Sequence, residues 1–268
     1  MARPVLSVRP DTDDGPRTIS AAVEQARPGS VISVHPGRYQ ENLVITKVVT
    51  IIAAEEPRSV ELAPVRGSAV RVVSEAVQLS GLVLRGRDPE LPAVDVPRGQ
   101  AAMDDCEVSG AAWTAVLARE SGSLAMRGCR VVNASGAGIV DTSEAGSVVE
   151  DSVIEHLGSS AIVISDRAAP VVRRCVLRDS RGNGVCANAE SRGTVEDCRI
   201  SRTDKPAIAL EAGSATTVVG TSVKDVAIGA FLNSSGRPTL RDCSFVGTRE
   251  HGVVVLGGSE PVLTGCRI

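Results

Sequence analysis

The stretch 172–200, VRRCVLRDSRGNGVCANAESRGTVEDCRI, contains a full period of a repeat. Val172, Cys175 and Leu177 return as Val195, Cys198 and Ile200, each 23 residues later. Working outward, the cysteine position recurs as Cys106, Cys129, Ser152, Cys175, Cys198, Thr221, Cys243 and Cys266, at steps of 23, 23, 23, 23, 23, 22 and 23. Three residues before it stand Met103, Met126, Val149, Val172, Val195, Val218, Leu240 and Leu263. Two residues after it stand Val108, Val131, Ile154, Leu177, Ile200, Val223, Phe245 and Ile268. A small residue (Ala115, Gly138, Ala161, Gly184, Ala207, Gly229, Gly252) then precedes a further apolar run. So constant a period is the signature of stacked structural repeats.

Each period holds three short runs rich in Val and Ile, separated by Gly, Ser, Asp and Asn, with no room for a helix of ordinary length. Such runs are strands. Three strands per turn, with the same residue types returning every turn, predict an all-β parallel β-helix solenoid whose coils stack at about 4.8 Å. The leucine pattern and Asn ladder of leucine-rich repeats are missing.

The repeats resemble the right-handed parallel β-helix, or pectin-lyase-like, superfamily. The opening Thr18–Glu41 agrees with many members: a short amphipathic helix, a strand, then the turn Pro36-Gly37-Arg38-Tyr39-Gln40-Glu41. The resemblance covers nearly the whole chain and speaks to fold more than activity, because the superfamily holds lyases, hydrolases, esterases, epimerases and non-catalytic modules. It implies that any catalytic groups project from one outer sheet and its flanking loops, as two or more carboxylates, often with Arg or Lys and sometimes calcium. Similar β-helices also precede AAA+ ATPase domains in some bacterial proteins.

A solenoid grows by addition, so the 268 residues read as a single parallel β-helix domain. Residues 1–30 supply a lead-in strand and capping helix, 31–102 irregular first coils, and 103–268 regular coils of about 23 residues. The helix has Ile19, Ala22, Val23 and Ala26 on one side and is placed to cover the open first coil. The loop Asp11-Thr12-Asp13-Asp14-Gly15-Pro16 reads as solvated chain favouring that helix's start, not as a metal site. At the far end the chain stops mid-coil at Cys266-Arg267-Ile268, which predicts continuation of the natural chain into further coils or another domain, or self-association there.

Net charge is -3, with 29 basic and 32 acidic residues interspersed, so no basic block points to nucleic acid. One Trp, one Tyr and two Phe leave few platforms for stacking bases or sugars. No apolar stretch is long enough for a signal peptide or a membrane span. Six of seven cysteines share one column, which reads as small buried hydrophobes in a reduced, cytoplasmic chain. A ladder spreads ligands along a line, so a zinc cluster is not expected. No metal or cofactor is expected.

Two residues before the cysteine column, Asp104, Arg127, Glu150, Arg173, Glu196, Val219 and Arg241 mostly alternate in sign, as a register-fixing ladder would. In the strand after the small residue, Leu117, Val140, Val163, Cys186, Ala209, Phe231 and Val254 form one column, and Val116, Ile139, Ile162, Val185, Ile208, Ala230 and Val253 the next one back. Neighbours point to opposite sides, so an apolar stripe faces outward whichever column is inside. The expected function is a non-catalytic scaffold or protein- or peptide-binding module, with Leu117, Val140, Val163, Cys186, Phe231 and Val254 as contacts. Loops 132–137, 155–160 and 178–183 folding over the stripe would be the structural alternative. The alternative function is a carbohydrate-active enzyme (lyase, hydrolase or epimerase) on a uronic-acid polymer, with Asp141, Asp166, Glu211 and His251 as its candidate groups. His35 reads as structural, within its Pro-Gly turn.

Overall fold

The computed structural model describes residues 4–11 and 15–268; Thr12, Asp13 and Asp14 of the acidic loop lie outside the described residues. The chain winds as a right-handed parallel β-solenoid of about 11 turns. Every strand pairing is parallel, and from Arg130 onward each coil contributes three strands. We call the three sides faces A, B and C. Face A contains Val148–Glu150, Val171–Arg173 and Thr194–Glu196. Face B contains Arg130–Asn133, Val153–Leu157, Val176–Ser180 and Arg199–Thr203. Face C contains Ala137–Asp141, Ile162–Ile164, Val185–Ala187, Ile208–Glu211, Ile228–Asn233 and His251–Val255.

Pairing follows the sequence period. Val153 pairs with Val176 and Val176 with Arg199, while Ser222 pairs with Ser244 across the one 22-residue step. The missing residue falls between faces B and C, because Ile208 is already paired with Ala230 when face C begins.

The corner from A to B is a single left-handed residue just before the cysteine column. Asp105, Asp151, Asp197 and Asp242 adopt φ of 49°, 50°, 50° and 54° there, and Arg174 adopts 53°. Aspartate tolerates that conformation better than most side chains. Arg174 is anchored by Asp151 at 2.8 Å and Glu150 at 2.9 Å.

The small residue opening face C has a steric cause. A Cβ on Gly184 would lie 2.3 Å from Ile200 Cγ2 and 2.8 Å from Ala207 O, both in the following coil. At the corner from C to A in earlier coils there is no turn at all. Strands Val94–Asp104 and Thr114–Arg127 run straight round it, merging faces C and A into one sheet. Gly122 permits the passage, since its Cβ would sit 1.8 Å from Val96 O.

The first coil is closed as the sequence predicts. Helix Ile19–Gln25 buries Ile19, Ala22 and Val23 and packs on strands Val5–Val8, Ser30–Val34 and Leu43–Ile45. Thr18 Oγ1 accepts from Ala21 N, and the Glu41 carboxylate accepts from Ile19 N and Ser20 N, each at 2.8 Å. Lys47 Nζ donates to the carbonyls of Val23, Glu24 and Ala26 at the other end. The Pro-Gly-x-Tyr-x-Glu motif thus ties helix to solenoid, with Tyr39 OH also donating to His35 O at 2.9 Å. Gly37–Tyr39, expected as turn, pairs with Val60–Leu62 as the first strand of face B.

Candidate binding faces

On face C the column Val116, Ile139, Ile162, Val185, Ile208 and Ala230 points into the core and is fully buried. The next column points outward and stacks in register, Leu117 on Val140, Val163, Cys186, Ala209, Phe231 and Val254. It is not open along its whole length. Leu117 and Val140 keep only 7% and 6% of their surface and form a small separate cluster with Ala137, against which Val163 packs. The sequence expectation of a continuous exposed stripe is corrected accordingly. Val163, Cys186, Phe231 and Val254 remain half-buried, and Leu117 and Val140 do not. Ala137, which opens the face-C strand Ala137–Asp141, packs with them at that end, and stacked side chains about 4.8 Å apart shield one another.

Face B carries a different surface. A continuous run of ion pairs crosses it, beginning with Arg38–Glu61 at 3.3 Å, Glu61–Arg85 at 3.1 Å and Arg85–Glu107 at 3.5 Å. It continues through Glu107–Arg130 at 3.6 Å, Arg130–Glu155 at 2.8 Å, Glu155–Arg178 at 2.5 Å and Arg178–Asp179 at 3.8 Å, and ends at Asp179–Arg202, 2.6 Å. The Glu155 side chain is 5% exposed. Burial raises its pKa, but the hydrogen bonds and charges of Arg130 and Arg178 outweigh burial and hold it below the ordinary carboxylate value. Arg202 does the same for Asp179.

Between faces B and C lies a groove of about 480 Å³ whose lining includes His156, Asp179, Ser180, Arg181, Arg202 and Asp204. It is created by a bulge. Val132 pairs with Glu155 but Asn133 with Leu157, which makes His156 an extra residue, and Asp179 and Arg202 repeat that position in the next two coils, at φ 55°, 56° and 53°. Ser180 is buried in the floor, and its Oγ has no hydrogen-bond partner among the described residues.

Comparison with known proteins agrees with this architecture. The family model described as "Right handed beta helix region" matches residues 114–268, more than half the chain. The chain belongs to the right-handed β-helix family. Among solved structures it is similar to one titled "Crystal structure of pectate lyase Pel9A", with TM-score 0.74 and 11% identity over 97% of this chain and 79% of that one. At that identity the likeness is one of fold. A second structure, "Geobacillus virus E2 - ORF18", aligns with TM-score 0.37 and 9% identity over 98% of this chain and 59% of that one. No curated protein sequence matches this chain.

Within this β-helix the four candidate catalytic residues do not assemble. Asp141 stacks between Ala118 and Ile164, an inward column, and is 2% exposed. Its Oδ1 accepts from Ser143 N at 3.0 Å, whereas Oδ2 has no partner among the described residues. Burial pushes the Asp141 pKa up, against the Ser147 hydroxyl and the Ser143 N–H. Asp166 is exposed in a turn at φ 53°, and Glu211 ends the face-C strand two coils on. His251 begins the last face-C strand, at the opposite edge from Glu211. The candidates of the enzyme alternative therefore share no cleft, and alternation alone cannot say that Asp141 points inward.

The right-handed β-helix brings together one set that sequence inspection missed. Ligand atoms of Glu155, His156 and Asp179 lie within 4.8 Å of one another. Both carboxylates are already held by Arg130, Arg178 and Arg202, so a cation there would meet three guanidinium groups. The face-A ladder stacks as expected, Asp104 on Arg127 on Glu150 on Arg173 on Glu196, with Arg173–Glu150 closing to 2.7 Å. Among the described residues no helix is long and apolar enough to cross a membrane.

Proposed function

We propose that this β-helix is a non-catalytic interaction module that presents the half-open part of face C to a protein or peptide. The observation that carries the reading is the outward column of half-buried Val163, Cys186, Phe231 and Val254, with buried Ala209 between Cys186 and Phe231, apolar and charge-free across five coils. An extended apolar strip on a rigid sheet suits a contact surface better than a reaction site. The distribution of carboxylates supports the same reading: Glu61, Glu107, Glu150, Asp151, Glu155 and Asp179 are each mated to arginine. The seven free cysteines support a reducing, cytoplasmic setting.

The test is a pull-down from host lysate with wild type and Val163→Asp plus Phe231→Asp, with folding checked by circular dichroism. A partner retained by wild type and lost by the folded variant is the expected result. Equal recovery by both proteins would remove the face-C reading. A second reading, a carbohydrate-active enzyme on a uronic-acid polymer, is favoured by the groove between faces B and C with its unpartnered Ser180 hydroxyl. It predicts uronan cleavage, with or without calcium, that falls at least tenfold in Asp204→Ala. A wild type that leaves every polymer intact excludes it.

A further inference from the structure

The interior column reads Cys106, Cys129, Ser152, Cys175, Cys198, Thr221, Cys243, Cys266. Ser152 and Thr221 divide it into three pairs of free thiols on adjacent coils: Cys106 with Cys129, Cys175 with Cys198, and Cys243 with Cys266. In each pair the first carbonyl accepts, at 2.9 Å, from the residue after the second cysteine: Cys106 O from Arg130 N, Cys175 O from Arg199 N, and Cys243 O from Arg267 N. The two backbones are therefore locked at the coil spacing of about 4.8 Å.

The thiols also share one orientation. Cys129 Sγ lies 3.4 Å from Arg127 O on its own coil and 3.3 Å from Met103 O on the coil before. Cys198 Sγ repeats this with Glu196 O at 3.3 Å and Val172 O at 3.7 Å, and Cys266 Sγ with Thr264 O at 3.6 Å and Leu240 O at 3.5 Å. Identical approaches on each coil mean identical rotamers, so the two sulfurs of a pair sit one above the other at about the coil spacing.

That spacing selects among the things two thiols can do. A disulfide brings its Cβ atoms to about 3.8 Å, so two hydrogen-bonded coils would have to pinch together by about 1 Å. Tetrahedral zinc needs four converging ligands, and each pair offers two. A cation midway between the sulfurs would lie about 2.4 Å from each, near the ~2.3 Å of a zinc–thiolate bond, with one sulfur on either side in a line. Linear thiolate coordination belongs to soft metals. The surroundings decide the charge: Cys106, Cys129, Cys175, Cys198 and Cys243 are at most 2% exposed and belong to the hydrophobic core. There a neutral complex is favoured over one that leaves a buried net charge. A divalent cation with two thiolates is neutral, whereas a monovalent one is not.

We propose that the three thiol pairs are linear, two-coordinate sites for a soft divalent cation, of which mercuric ion is the probe. Binding converts two thiols and M²⁺ into a neutral M(SR)₂ group and two protons released to solvent, and no electrons move. The inference is independent of the face-C and groove readings.

The full chain is refolded with mercuric chloride in the presence of excess glutathione, which holds any cation that only one protein thiol binds. Native mass spectrometry then counts bound metal, and ultraviolet thiolate-to-metal absorption reports its ligands. The expected count is three in wild type, two in Cys198→Ser and three in Cys186→Ser, whose cysteine lies off the column. Serine already occupies this column at Ser152, so Cys198→Ser keeps the fold, and Cys175→Ser gives the same count by the partner residue. Three ions retained by Cys198→Ser, loss in Cys186→Ser, no bound metal, or a mass lowered by two hydrogens per pair through disulfide formation would each overturn the proposal.

Discussion

Faces B and C are neighbours in every coil, built from strands of similar length on the same period, yet they treat their outward side chains oppositely. Face B pairs nearly every charge it displays, from Arg38 to Arg202. From Leu117 onward face C displays an outward column with no charge and turns the carboxylate of Asp141 to the inner side. The difference shows how a stacked sheet keeps its register in two ways. Alternating charges penalise a slipped coil on face B, because like charges would then face each other. On face C register rests on steric fit instead, with Gly184 set against Ile200 of the next coil.

The largest expected effect breaks the seam between the two faces. Gly184→Val drives a branched side chain into Ile200 and the Ala207 carbonyl, and should destabilise by about 3 kcal/mol, seen as a lowered denaturant midpoint. Glu155→Ala comes next. It strips Arg130 and Arg178 of their shared partner, and since both guanidinium groups still reach solvent the cost should be about 1–2 kcal/mol.

The two faces should also respond to acid with opposite signs. Glu155 has a lowered pKa in the fold, so its stabilisation is present above the ordinary value of 4.5 and disappears as pH falls through the lowered one. Asp141 has a raised pKa, so its ionisation costs stability once pH exceeds that raised value, and the cost vanishes below the ordinary 3.8. Asp141→Asn should therefore be more stable than wild type at neutral pH, by about 1 kcal/mol, and indistinguishable from it near pH 3. Thermal melts across that range would show the crossover, and a variant less stable at neutral pH would refute it. The smallest effect belongs to the exposed pair Arg167–Glu144, where Glu144→Ala should leave the melting temperature unchanged within error.

Much of this was legible along the chain. The period fixed the coils, and Asp or Gly before every cysteine-column residue except Cys175, which follows Arg174, marked the left-handed corner. Ile19, Ala22, Val23 and Ala26 gave the buried side of the helix. The face-B ladder was not visible, because it changes columns: Arg130 lies one residue after its cysteine position, Glu155 and Arg178 three after theirs, and Asp179 four after. A search down any single column finds only fragments of it. The groove was hidden for a related reason, since the bulge at His156, Asp179 and Arg202 turns Ser180 inward without altering the period.

The sequence by itself determined the solenoid, because period, strand propensity and turn chemistry are local properties repeated often enough to leave one architecture. Inside and outside were decided only by the tertiary structure. Two adjacent columns of face C are both apolar, so alternation is silent there, and the direction each points depends on how the coil closes. That closure buried Asp141, buried Leu117 and Val140 at one end of the outward stripe, and stacked the thiols in pairs. Each is a relation between coils, set by packing across about 23 residues of chain and encoded in no single stretch of it.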